Sequence, residues 1–500
     1  MRDIKALTIL KSFSNKERKD FASFLACHAF VSRTKPKQLY GILLQDYPDL
    51  NESDLDKVKL YKELFPVEYK SNGYNASSLR HCFHELQRAA EKFLVFMKIE
   101  NDEVHYDEVL RREFRDRHLD KLYMKALDES DKKFAKVNEL SSEYFLAKYK
   151  LILERINFES MYEDFTIRKS KTVGIDNIER AVKCLGYFFM MEMFYHEGAC
   201  LMYSNRYGYK FEDSYVRKFC DKINFEDLFA LLKAHVSNES ESILFKIYVD
   251  IIELYKVKNP KRNKDKYIGI KKYLLKNIEC VGTNERFEFF GKLIRYLQYC
   301  FDFEEIHNIF KIIIENGYYK HTEGTYFQAD YYLLIISHAM TQDKLGWLEK
   351  FLVDFKPLLQ PELQDVSFNF GMARLEFERG SYVKSLIYLN KINVDYFDYA
   401  FHIKVLYIKI FYEMNYLHEV LSLIASVNKY ILDSKKVTNT NKAVIRRFMN
   451  FTKILVKIKE TQSVEGLSDL KDKIKSVIVR EKPWLLEKIS ELELKKRVKS

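Results

Sequence analysis

The chain has 500 residues, of which 47% are hydrophobic and 31% charged, with only 15 Gly and 7 Pro. Few turn formers weigh against sheet proteins and Rossmann-type enzymes, and the apolar share excludes wholesale disorder. Lys plus Arg (83) against Asp plus Glu (72) leaves +11, which permits an anionic partner without demanding one.

Taken in chain order, residues 1–100 predict an N-terminal helical domain of five helices. Ser14 and Glu17 form an S-x-x-E capping box ahead of a helix burying Phe21, Phe24, Leu25 and Phe30. Pro36 opens the next helix, with Leu39, Tyr40, Leu43 and Leu44, and Pro48 ends it. A short helix with Leu55, Val58 and Leu64 stops before Pro66, and Asn72-Gly73 marks a turn. Leu79, Phe83, Leu86, Ala90, Phe93 and Leu94 then step at three and four along a fifth helix.

Residues 101–235 predict a connecting region of long helices, with Val109, Phe114, Leu119 and Leu122 as one stripe. Tyr144, Phe145, Tyr149, Leu151 and Ile152 start another apolar face. Residues 167–176 read as a loop, and Asp176 opens a helix through Leu185, Phe188, Phe189, Met193 and Phe194. The most apolar stretch, CLGYFFMMEMFYHEGACLMY, is interrupted by Glu192, His196 and Glu197, so no membrane insertion is expected.

Residues 236–460 alternate helices with short polar breaks, as an α-solenoid of helical hairpins would. The breaks fall near Ser237–Ser240, Asn259–Asn263, Gly282–Asn284, Asn316–Gly317, Thr341–Asp343, Pro361 and Asn393–Asp395. Residues 461–500 predict C-terminal capping helices, with Trp484, Leu485, Ile489 and Leu492 on one face after Pro483. The expected fold class is therefore all-α: an N-terminal helical domain followed by a solenoid of degenerate helix-turn-helix repeats.

Repetition is clearest at 366–430. A shift of 35 residues maps Ala373, Leu375, Phe377, Tyr382, Leu386, Leu389 and Ile392 onto Ile408, Ile410, Tyr412, Leu417, Leu421, Ile424 and Val427. The same shift places Gly380 on Asn415, both turn formers. FNFGMARLEFERGSYVKSLIYLNKI resembles the tetratricopeptide helix-turn-helix unit, with Gly380-Ser381-Tyr382 at the family's inter-helix Gly-Asp-Tyr. Ala373 then takes the small position of the first helix and Leu389 the large position of the second. Ser385 replaces the usual alanine, and Asn369 and Glu376 stand where the family prefers aromatics. The resemblance implies protein–protein binding by a surface lined by first helices. The family's carboxylate clamp is not carried over onto any residue.

Catalytic motifs are missing from the sequence: it has no G-x-x-x-x-G-K-[ST], G-x-G-x-x-G, H-E-x-x-H or G-x-S-x-G. His81, Cys82 and His84, and His196 with Cys200, have metal-like spacing, but each site aligns only two ligands where zinc needs four. Cys27-His28 would have to fold onto His81 to complete one. We therefore expect no catalytic residue, metal or cofactor. Seven cysteines without a C-x-x-C pair, and an N-terminus without an apolar leader, suit a reduced, cytoplasmic chain.

Basic runs are the main polar feature. Lys256, Lys258, Lys261, Arg262, Lys264, Lys266, Lys271 and Lys272 face only Asp265 within 256–272, a candidate patch for an anionic partner. A second run, 429–447, holds Lys429, Lys435, Lys436, Lys442, Arg446 and Arg447 against Asp433. The leading expectation is a non-enzymatic helical-repeat scaffold that binds a protein or peptide. The alternative is an RNA- or DNA-associated protein using these basic loops, and solvation of the loops is the plainer account of the charge.

Overall fold

Capping residues and apolar spacing set the helices, and the computed structural model shows how they pack. It describes residues 4–27, 33–46, 55–166, 171–207, 214–236, 238–255, 263–300, 302–320, 326–340, 344–392, 397–433, 439–461 and 466–499. Among these there are 25 α-helices and no strand, in two compact units, Met1–Ala135 and Lys136–Ser500. The protein is all-α. No helix among the described residues is long and apolar enough to cross a membrane.

The first unit holds α1 (Lys5–Lys11), α2 (Asn15–Ala26), α3 (Thr34–Leu43), α4 (Lys57–Leu64), α5 (Pro66–Asn72), α6 (Ala76–Glu100), α7 (Glu103–Asp116) and α8 (Asp120–Phe134). The Ser14–Glu17 box forms reciprocally: Ser14 N–H donates to Glu17 (2.7 Å) and Glu17 N–H to Ser14 Oγ (3.3 Å). Asp56, Asn75 and Asp102 accept from first-turn N–H groups of α4, α6 and α7. At the centre, the Phe21 ring lies 5.3 Å from Phe13, 4.9 Å from Tyr40 and 5.2 Å from Phe93. Such edge-on and tilted contacts add to simple area burial.

Several sequence expectations need correction here. A sixth helix, α5, starts at Pro66, whose missing N–H costs nothing at a first helical position. Pro36 sits inside the first turn of α3 rather than at its start. Val58 and Leu94 are exposed; their partners on the predicted stripes, Leu64 and Phe93, are buried. Val109, Leu119 and Leu122 are exposed too, because His118 takes a left-handed conformation (φ 55°) and divides the stripe between α7 and α8. The buried residues of that hairpin are Tyr123, Leu127 and Phe134, with Arg111 donating to Ser130 Oγ at 2.8 Å. Phe30 and Pro48 lie outside the described residues.

The second unit begins with α9 (Ser142–Thr166), α10 (Lys171–Tyr207), α11 (Tyr215–Cys220) and α12 (Phe225–Ala234). Helix α10 starts five residues before Asp176, within the predicted loop. It packs lengthwise on α9, and such packing outweighs the roughly 1 kcal/mol helix cost of Gly174. Its core face is Ala181, Cys184, Tyr187, Met190, Met191 and Phe194, with Tyr187 stacked on Phe145 at 4.7 Å. Leu185 is exposed and Phe188 and Phe189 are half-buried, so the predicted face is rotated from the observed one.

Hairpins follow: α13 (Glu239–Tyr255), α14 (Lys264–Lys276), α15 (Thr283–Cys300), α16 (Phe303–Glu315), α17 (Ala329–His338) and α18 (Leu345–Phe355). The series continues with α19 (Pro361–Glu378), α20 (Tyr382–Leu389), α21 (Phe397–Glu413), α22 (Leu417–Asp433), α23 (Asn439–Thr461), α24 (Leu467–Ser476) and α25 (Lys482–Lys499). Each second helix packs on its own first helix or the next one, and first helices meet in sequence, as with α13 and α15, α17 and α19, or α19 and α21. This nearest-neighbour order is how repeat arrays bury apolar faces that no hairpin could bury alone. Gly317 (φ 70°) and Pro361 mark breaks as expected, whereas the Asp302 cap of α16 was not foreseen. The expected breaks at 341–343 and 393–395 lie outside the described residues.

The 35-residue register is visible in the backbone. Gly380 and Asn415 are both left-handed, at φ 74° and 65°. Gly380 N–H bonds Phe377 O (2.9 Å) and Ser381 N–H bonds Glu376 O (2.8 Å); Asn415 and Tyr416 repeat this on Tyr412 O (3.2 Å) and Phe411 O (2.8 Å). Ala373, Leu375, Phe377, Leu389 and Ile392 are buried, as are Ile408, Ile410, Tyr412, Ile424 and Val427. Tyr382 and Leu386 are half-buried, and so are Leu417 and Leu421. Ser385 is fully buried and donates to Ala373 O at 2.6 Å.

One junction joins distant helices of this unit. Leu140 and Val281 form an isolated parallel bridge that sets the N-termini of α9 and α15 side by side. Capping across it is reciprocal: Ser142 N–H donates to Glu285 Oε1 (2.9 Å) and Thr283 N–H to Glu139 Oε1 (3.0 Å). Gly282 is needed for this approach, because a Cβ there would collide with Glu285 Oε2 and come within 2.9 Å of Leu140 O.

Candidate functional site

The basic patch predicted at 256–272 is only partly within the described residues: Lys256, Lys258, Lys261 and Arg262 fall outside them. Of the rest, all on α14, Lys264 pairs with Asp302 (3.2 Å), Lys266 with Glu253 (2.5 Å) and Lys271 with Glu305 (2.6 Å). Lys272 is exposed. Local charge is thus partly neutralised by carboxylates of α13 and of α16 with its cap. In the second run, Lys435 and Lys436 lie outside the described residues, and Arg447 donates to Ile478 O at 2.9 Å.

The histidine and cysteine pairs do not converge. His81 meets Arg33 (2.8 Å) and Glu85 (3.2 Å), while Cys82 turns into the core, where burial and Glu85 push its thiol up to about 12. His196 pairs with Glu192 at 3.5 Å. Among the described residues no group of three or more His, Cys, Asp or Glu could hold a metal ion.

A denser set of charges lies among α19, α21 and the start of α25. Sequence supplies it simply: polar residues one turn apart on first helices, Arg374 and Glu378 on α19 and Lys409 and Glu413 on α21. Lys409 reaches Glu481 at 2.8 Å and lies over the Phe377 ring at 4.6 Å. Trp484 Nε1 donates to Glu413 at 2.8 Å, and Lys488 pairs with Glu413 (2.9 Å) and Glu491 (2.6 Å). Nearby, the Arg480 guanidinium donates to the His402 ring at 3.0 Å.

Electrostatics in this set follow from enclosure and pairing. Burial alone would raise Glu481, but the charges of Lys409 and Arg374 and the Lys409 hydrogen bond hold it down at about 2. Burial, with Arg480 and Arg374 beside it, drives His402 well below its ordinary value, so the ring is a neutral acceptor for Arg480. Glu378 moves up through burial, opposed by Lys409 and Arg374. Lys488 moves up because the hydrogen bonds it donates to Glu491, Glu413 and Glu487 outweigh its burial. The arrangement is a register of paired charges with one indole, spread over α19, α21 and α25.

Sequence reasoning found Trp484 as a capping residue but missed this charge set. The available signal was the i, i+4 pairing of opposite charges on two successive first helices. The repeat-packing residues Ala373, Tyr382, Leu386, Leu389, Ile408, Leu421 and Ile424 belong to the core of the same hairpins, and Gly380 and Asn415 form their turns. Comparison with family models, with curated proteins and with solved structures finds no match.

Proposed function

We propose that the chain is a non-enzymatic scaffold of tetratricopeptide-like helical repeats, binding another protein or peptide through the solenoid surface of its second unit. The observation that carries this reading is the equivalence of α19–α20 and α21–α22 in cap geometry and burial. Stacked hairpins of this kind present a long side-chain surface instead of an enclosed pocket. Charged residues on the first helices of those two hairpins give that surface its selectivity. Seven cysteines without a disulfide suit a reducing compartment, so the reading places the scaffold in the cytoplasm.

The reading based on basic loops is weaker, because Lys264, Lys266 and Lys271 are each engaged by a carboxylate. A tagged pull-down at moderate salt, washed with or without nuclease, separates the two. Proteins retained after nuclease support the scaffold; proteins lost together with nucleic acid overturn it. Reversal of Lys261, Arg262 and Lys264 to Glu should leave the retained set unchanged. Binding driven by phosphate contacts would instead fall in that variant, and by orders of magnitude between about 50 and 200 mM salt.

A further inference from the structure

A helix that merely closes a repeat stack needs one apolar face. Leu485 and Ile489 of α25 supply it, fully buried against the last hairpin with Ile474 and Leu455 in the same core. The other flank of α25 is built differently. Glu481, in a left-handed turn just before α25 (φ 52°), and Trp484 and Lys488 of α25 reach α21, where Lys409, Tyr412 and Glu413 receive them. Nothing about covering an apolar end requires two buried ion pairs and an indole hydrogen bond at this place.

The chemistry of that flank is that of a ligand. Buried ion pairs add little net stability over apolar packing, but removing one partner is costly, so they discriminate between occupants. The seat on α21 therefore selects a register: a carboxylate, a tryptophan three residues on and a lysine four further. A partner helix preceded, as α25 is, by a carboxylate-bearing residue in a left-handed turn would satisfy Lys409 and Glu413 in the same register. Docking of an amphipathic helix on a helical surface is a common mode of peptide recognition.

We propose that α25 is a built-in ligand of the first-helix face of α19 and α21, which takes in exchange an amphipathic helix from another protein with that register. The proposal rests on the scaffold reading above. Full-length protein is titrated into a fluorescein-labelled peptide of residues 479–499, read by anisotropy. Wild type, with its seat filled, should bind at least tenfold more weakly than the variant Glu481→Lys/Lys488→Glu, whose own α25 meets like charges at Lys409 and Glu413. Equal affinities overturn the proposal. A peptide carrying the same two reversals should bind the variant at least tenfold less tightly than the native peptide; equal binding of the two would show that the seat does not read charge.

Hydrogen exchange on the wild-type chain tests the same idea without a variant. Amides of α25 should exchange at least tenfold faster than those of α23, through opening of α25 alone. Exchange of α25 only together with α23 overturns the proposal and leaves the scaffold reading intact. Peptide exchange as expected, with no protein retained in the pull-down, removes the scaffold reading and with it the outside partner.

Discussion

At the α9/α15 junction and at the α21/α25 seat, segments far apart in sequence meet around one glutamate each, buried at the first and half-buried at the second. Glu285 accepts backbone N–H groups only, and its Oε2 has no hydrogen-bond partner among the described residues. Burial therefore dominates, with Glu143 and Glu192 adding to it, and pushes its pKa up to about 7. Glu481 is half-buried, and there the charges of Lys409 and Arg374 outweigh burial and hold it at about 2. Burial raises both carboxyls; cations facing Glu481 reverse the effect there, and none does so at Glu285.

The largest expected effect tests the seat. Lys409→Ala takes away the hydrogen-bonding partner of Glu481 and leaves it only the charges of Arg374 and Arg480, which should cost about 3 kcal/mol in urea denaturation. The pair Lys409→Met/Glu481→Gln should recover much of that loss, since the carboxylate goes together with its hydrogen-bonding partner and only Arg374 and Arg480 lose a counter-charge. A single variant within about 1 kcal/mol of wild type would break the contrast between the two glutamates, because typical surface substitutions do no more.

Next in size, and opposite in sign, is Glu285→Gln. A carboxyl raised from 4.5 to about 7 in the folded chain contributes stability that is complete below 4.5 and lost as pH rises through about 7. Glutamine is never ionised and still accepts from Ser142 N–H. The variant should gain on the order of 3 kcal/mol above neutral pH and nothing at acid pH. Thermal melts between about pH 5 and 8 should fall for wild type and flatten for Glu285→Gln, for this group's part. A parallel fall in both would remove Glu285 as the origin. His402 works the other way: its lowered folded value adds stability above about 6.5 that is lost as pH falls, so acid melts carry the opposite slope.

A smaller effect belongs to the exposed half of the junction. Glu139 accepts from Thr283 N–H and Thr283 Oγ (3.0 and 3.1 Å). Glu139→Ala should cost about 1 kcal/mol, as loss of a capping acceptor does. Melts of that variant should run parallel to wild type between about pH 5 and 8. A steeper slope would mean that the Glu139 cap also acts on Glu285.

Both long-range seams were illegible in the sequence, for a physical reason. Ser142 and Glu285 stand 143 positions apart, and Lys409 and Glu481 stand 72 apart, so no local periodicity links them. The same blindness affected the basic patch: residues on α14 were counted as free charge, while their partners Asp302 and Glu305 come a hairpin later. Local features read well, because a cap or an i, i+4 stripe is decided within one turn. Ser14–Glu17, Gly317, Pro361 and the helix of Leu79, Phe83, Leu86, Ala90 and Phe93 are of this kind. The face of α10 misled because Leu185, Phe188 and Phe189 are as apolar as Tyr187, Met190 and Met191, so period alone could not choose between them.

The smallest effects lie in the two equivalent hairpins, where neither charge nor distance enters. A Cβ at Gly380 would meet nothing within 4 Å, so Gly380→Ala can cost only backbone strain at φ 74°, about 1 kcal/mol. Asn415 holds the matching turn at φ 65° with a side chain that tolerates it, and Asn415→Gly should gain a few tenths of a kcal/mol at most. Gly380→Asn should then fall between the two in urea midpoints. Because no titrating group is involved, all three shifts should be the same at about pH 5 and pH 8, unlike that of Glu285→Gln. An Asn at 380 as costly as an Ala would mean that the turns share an angle without sharing an environment, and the 35-residue equivalence would then stop at the backbone.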